Sequence, residues 1–190
     1  MAGLPAMRLY TSNASPFCLK VMVLAHELGL AESSLSLDYS VKPLPTLKST
    51  PHSALVPHGK IPALVVTPTP GAPQTVLFGS EVVCQYLDSL AGNKALPPPG
   101  TLERFEALTT EALASAIKDA ALALRYERIE RSKDLHWQDW IEGQLSKITR
   151  SIPVLAKRKL PDPAADVFGL DGWYKRVQER ESWKQTPFAK

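Results

Sequence analysis

Three short segments combine hydroxyls, glycines and prolines in patterns that can hold an anion or an extended peptide. The first, Ser15-Pro16-Phe17-Cys18, stands where an extended run gives way to a helical one. A hydroxyl there meets free backbone N–H groups and the positive end of the helix dipole, an environment that stabilises an anion. A thiol with an ordinary pKa near 8.5 is about 3% thiolate at pH 7, and lowering that value by two units takes roughly 2.7 kcal/mol. One charge-assisted hydrogen bond together with the dipole supplies energy of that order. The competing reading is that Ser15 only N-caps the helix, ahead of a proline at the first helical position.

The second segment is His58-Gly59-Lys60-Ile61-Pro62-Ala63. A proline that opens a strand after a glycine suggests a cis Ile61–Pro62 bond, which turns the Ile61 backbone outward to pair with a peptide as an added strand would. An ordinary trans turn is the alternative. The third segment, Phe78-Gly79-Ser80-Glu81, opens a helix, so its N–H groups and the Ser80 hydroxyl form a carboxylate site, or else Ser80 is a cap.

The elements that must position these segments follow from periodicity. Ala6–Thr11 reads as a strand, and Phe17, Val21, Leu24, Ala25 and Leu28 form one apolar helical stripe with Gly29 as its stop. Leu35–Ser40 is a second strand, and Val41–Gly59 is a proline-rich irregular stretch. Pro62–Thr67 and Thr75–Phe78 make a hairpin, and Ser80 opens a helix with Val82, Val83, Tyr86, Leu87 and Leu90 on one face. This order of strands and helices is that of a thioredoxin-like α/β domain, spanning residues 1–92. Residues 93–100, carrying Pro97-Pro98-Pro99, read as a linker. Residues 101–190 then read as all-helical, with helices over Leu102–Arg131, Ser132–Arg158 and Gly172–Trp183. Pro153 should kink or end the second of these.

Composition narrows the function classes. The chain has 190 residues, 44% hydrophobic and 22% charged, with a formal charge of +3 spread among acids. Scattered charge gives no footprint for nucleic acid. No apolar run approaches the 18 or so residues of a membrane span. The opening MAGLPAMRLY lacks the pattern of a secretory signal, so a soluble, reducing, cytoplasmic setting is expected. The 17 prolines, well above the usual share of about 5%, concentrate in loops and stiffen them.

In order and spacing the three segments resemble the glutathione transferase family. SNASPFCLKVMVLAHELGL is similar to its serine-type active-site strand and helix, HGKIPALVV to its cis-proline loop, and GSEVVCQYLDSL to the segment that grips the γ-glutamyl end of glutathione. EALASAIKDAALALRYE and the closing LDGWYKRVQERESWKQTPF extend the resemblance, which is nearest to bacterial and fungal members with a Ser-Pro-Phe motif. It implies that Ser15 activates the thiol, that Ile61, beside Pro62, pairs with the cysteinyl backbone, and that Ser80 binds the γ-glutamyl carboxylate. Lys48 and His52 lie in the loop that contacts the glycyl carboxylate. Two departures stand out. The family usually carries an acidic residue just before the third motif's serine, where this chain has Gly79, so Glu81 or another residue must replace it. About two helices are also short between Ile152 and Asp171, which predicts a reduced helical domain and a more open second-substrate side.

The resemblance implies glutathione as cosubstrate, an apolar electrophilic small molecule as its partner, no metal, and a homodimer. Adding glutathione to an electrophile is the first function. Glutathione-dependent cis–trans isomerisation of a bulky activated alkene, of the secondary-metabolite type, needs the same Ser15, and a non-catalytic binding module is the third reading. Cys18 looks like the second cysteine of a glutaredoxin motif whose attacking cysteine is replaced, and it reads as inert packing, as does Cys84. His26, His52, His58 and His136 have no metal-ligand spacing. Trp137 and Trp140 read as core or dimer interface, and Arg125-Tyr126 as cleft-facing or solvated.

Overall fold

The computed structural model describes residues 3–41, 48–49, 52–158, 175 and 177–186. They form two compact units: Met1–Leu96 joined by Arg180–Lys190, and Pro97–Glu179.

The first unit is a thioredoxin-like α/β layer. Strand β1 (Ala6–Tyr10) leads through helix α1 (Pro16–Glu27) to β2 (Leu35–Asp38), and β3 (Ala63–Thr67), β4 (Thr75–Phe78) and helix α2 (Ser80–Leu90) follow. The sheet order is β2-β1-β3-β4, with β2 parallel to β1 and both other pairings antiparallel. A parallel β1–β2 pair requires a crossover, and α1 supplies it.

Side chains alternate across the sheet. Met7, Leu9, Leu64 and Val66 pack with Val21, Met22 and Ala25 of α1 and Val83 and Leu87 of α2. Tyr10, Ala63 and Val65 join Cys18, Val41, Val56 and Ile61 in a second cluster. The buried stripe of α1 is therefore Cys18, Val21, Met22 and Ala25, while Phe17 and Leu24 of the expected stripe are only half-buried. Gly29 does end the helix. At φ +68° it lets its own N–H reach the His26 carbonyl and the Leu30 N–H reach that of Ala25, which closes the last turn.

In the second unit, helix α3 (Leu102–Arg125) packs on helix α4 (Gln138–Ala156). Two expected boundaries need adjusting. The regular α-helix stops at Arg125, and Tyr126–Glu130 continues as a π turn. A 3-10 turn at Lys133–Leu135 and extended backbone at His136 and Trp137 precede α4, so that helix starts at Gln138 rather than Ser132. The reason is a tertiary cap: the buried Glu127 carboxylate accepts the Trp137 N–H at 2.9 Å and pairs with Arg131 at 3.4 Å. The helix runs three residues beyond Pro153. Trp137 is 61% exposed in the single chain, so it is no core residue there. Arg125 pairs with Glu130 at 3.3 Å.

The closing helix is also interrupted. Arg180 is extended, and helix α5 (Glu181–Lys184) begins after it. Arg180 grips Glu27 at the end of α1 through Nε at 2.8 Å and a terminal nitrogen at 2.5 Å, and the Ser182 hydroxyl joins the same carboxylate. Most of the stretch expected to be short of helices, residues 159–174, lies outside the described residues. Among the described residues no helix is long and apolar enough to cross a membrane.

Candidate functional site

Strand register gathers the three sequence segments at one end of the sheet. Tyr10 lies opposite Ala63, and Ala63 opposite Phe78. From that single row the chain leaves toward Ser15, arrives from Ile61-Pro62, and leaves toward Gly79-Ser80. Neighbouring strands are about 4.8 Å apart, so the three exits span roughly 10 Å.

Ser15 is the N-cap of α1, in extended conformation ahead of Pro16. Its Oγ accepts the Cys18 N–H at 3.4 Å, and its own N–H donates to the Ser12 carbonyl at 3.1 Å. A serine hydroxyl has one proton and two lone pairs, so capping uses a lone pair and leaves the O–H able to donate. Capping and anion binding are thus compatible roles for one atom. Cys18 is fully buried beneath it. Burial pushes the Cys18 thiol up, against hydrogen bonds from the Ser15 side chain, the Ser12 backbone and the Thr11 side chain. It is therefore a protonated packing group at neutral pH, as its inward helix position led one to expect.

The Ile61–Pro62 bond is cis. Among the described residues no hydrogen bond engages the Ile61 backbone. The loop before it is fixed by its histidines. His58 Nδ1 accepts the Lys60 N–H at 3.0 Å, and the His58 ring meets Phe78 edge-on at 4.9 Å. His52 is 2% exposed; its Nε2 lies 3.3 Å from the Lys60 carbonyl oxygen, and its ring lies 5.6 Å from that of Tyr10. Lys48 is exposed.

Helix α2 is capped by Gly79 at φ +89°, where a side chain would be strained. Ser80 is the first helical residue and makes no capping bond; 3% exposed, it donates its hydroxyl to Glu81 Oε1 at 3.2 Å. Lys20 of α1 pairs with the same oxygen at 3.5 Å. A Cβ placed on Gly79 would lie 3.9 Å from Glu81 Oε2, so the Glu81 carboxylate leans back over the glycine. Sequence reasoning missed Lys20: its partner lies 61 positions away, and only the packing of α1 on α2 joins them.

A shallow depression of about 260 Å³, lined by Ala6, Arg8, Ser36, Thr67 and Gln74 among others, lies at the opposite end of the sheet and contains none of these residues. Among the described residues no cluster of His, Cys, Asp and Glu could hold a metal ion.

Residues 9–95 match the family model of the glutathione S-transferase N-terminal domain. All three site segments lie within the matched residues. A GST-like protein of Escherichia coli (strain K12), YibF, is 29% identical over 149 residues, covering 78% of this chain and 68% of that protein. A glutathione transferase family member from Pseudomonas fluorescens Pf-5, solved with bound glutathione, has a TM-score of 0.81 at 28% identity, covering 97% of this chain and all of that one. A glutathione S-transferase from Methylobacillus flagellatus shares the fold at 23% identity, with a TM-score of 0.76 over 97% of this chain and all of that one.

Proposed function

We propose that this chain is a serine-type glutathione transferase, which binds glutathione at the Tyr10–Ala63–Phe78 end of its sheet and adds it to an apolar electrophile. The observation that carries the reading is the register itself. A donor hydroxyl, a main-chain edge at Ile61 that engages none of the described residues and a helix N-terminus lie within roughly 10 Å. An extended tripeptide reaches about 10 Å. The glutathione bound to the Pseudomonas fluorescens relative supports the same ligand.

Each residue then has a chemical task. Ile61, beside Pro62, takes the cysteinyl backbone as an added strand would. Ser80 and the α2 N-terminus receive the γ-glutamyl carboxylate. Glu81 supplies the negative charge for the ligand's ammonium, since the backbone at Gly79, at φ +89°, is unfavourable for any residue that carries a side chain. Lys48 is the cation for the glycyl carboxylate. The Ser15 O–H donates to the ligand sulfur, which releases its proton to solvent. The thiolate lone pair then forms the S–C bond as a leaving group departs, or as a polarised alkene takes a proton from water. By the same resemblance the working form is a homodimer.

Calorimetry tests the binding, with dissociation in or below the millimolar range expected. Product mass tests the reaction: a glutathione conjugate is expected, and an unchanged mass with altered retention would mean isomerisation instead. No binding at millimolar glutathione overturns the reading.

A further inference from the structure

The buried imidazole of His52 is an expensive group to place in a core unless its polar atoms are used. Its Nε2 faces the Lys60 carbonyl oxygen at 3.3 Å, and a carbonyl can only accept, so Nε2 must carry the proton. The Lys60–Ile61 peptide is trans, which sends its C=O and N–H in opposite directions. Holding the carbonyl toward the core therefore aims the Ile61 N–H away from it. The same ring also lies 5.6 Å from that of Tyr10, the last residue of β1, from which the chain runs on to Ser15. One side chain thus references both the peptide-pairing edge and the start of the thiol turn.

We infer that His52 is a positioning residue: its Nε2–H fixes the Lys60–Ile61 peptide plane so that the Ile61 N–H is presented to the peptide carbonyl of the ligand. The inference rests on the reading that glutathione pairs with Ile61. His52 acts through the backbone and touches no reacting atom, so its removal weakens binding and leaves the chemistry of the sulfur alone.

The test compares wild type with His52→Phe, which keeps an aromatic ring against Tyr10 but has no donor, and His52→Gln, which restores one. In His52→Phe, glutathione affinity should fall about five- to twentyfold and KM should rise by a similar factor. The kcat and the pKa of the bound thiol should stay within error. His52→Gln should recover affinity to within about threefold. Glutathione bound equally well by His52→Phe overturns the inference, as does a loss that glutamine does not restore. Ligand-free protein labelled with ¹⁵N-isoleucine gives a second readout: the Ile61 amide should shift in His52→Phe and return in His52→Gln. This comparison keeps the inference apart from the functional reading. If wild type binds no glutathione, that reading falls, and the amide shifts still decide whether His52 sets the peptide plane. Should His52→Phe not fold, the ¹⁵N shifts of the wild-type ring decide, because a neutral imidazole protonated on Nδ1 rather than Nε2 overturns the hydrogen bond.

Discussion

Replacing Ser15 by alanine and by glycine separates the two roles that one hydroxyl can play. The cap bond to the Cys18 N–H is long, 3.4 Å, so its loss in Ser15→Ala should cost about 0.5–1 kcal/mol of stability, the low end for N-caps. Glycine is itself a good N-cap, and Ser15→Gly should cost only a few tenths. The donor bond to a bound thiolate behaves differently, because neither variant can make it. A hydrogen bond to a charged group contributes about 1.5–3 kcal/mol. Its loss raises the bound thiol's pKa by roughly one to two units at 1.36 kcal/mol per unit. Turnover near neutral pH should then fall about ten- to a hundredfold in both variants, with glutathione affinity nearly unchanged. Thiolate absorbance of bound glutathione, titrated against pH in all three proteins, is the direct assay. If the three titration curves overlap, or if Ser15→Gly keeps full turnover, Ser15 is a cap alone and the activating group must be sought at Ser12, Asn13 or the backbone.

Gly79→Ala should cost about 1–2 kcal/mol, because φ +89° is unfavourable for an L side chain, although the new Cβ meets nothing closer than 3.9 Å; thermal unfolding measures this, and an unchanged midpoint refutes it. The Glu27 carboxyl is held below its ordinary range chiefly by the hydrogen bonds from Arg180. The stability it confers is therefore complete above the ordinary glutamate pKa and is lost as pH falls through the lower folded value. Arg180→Ala should cost about 1 kcal/mol at neutral pH, a difference that shrinks below pH 4, and a pH-independent difference refutes the linkage. Light scattering at micromolar concentration should give twice the chain mass, and a monomer contradicts the dimer.

The first ninety residues were legible because their local signals agree. Alternation in Ala6–Tyr10, the Pro16 start and Gly29 stop of α1, and the glycine before Ser80 each point to the element found. Where reading failed, a distant partner had intervened. Nothing local delays α4 to Gln138; the Glu127 carboxylate does so from ten positions earlier. Nothing local breaks the last helix at Arg180 except the carboxylate of Glu27, 153 positions away. At the candidate site, residue types and order were readable at Ser15, Ile61 and Ser80. The orientation of the Glu81 carboxylate over Gly79, the Lys20 partner and the burial of His52 were not, since each depends on which helix or loop lies across from it.

The grip of Arg180 on Glu27 also sets an order of events at synthesis. Helix α1 leaves the ribosome before the residue that secures its far end, which is translated 153 positions later. At about 5–20 residues per second, that interval is roughly 8–30 s. For that time the nascent sheet unit must stand without its closing segment, while the whole of the helical unit emerges. The first unit is thus discontinuous in sequence, and its completion waits until the helical unit has been translated.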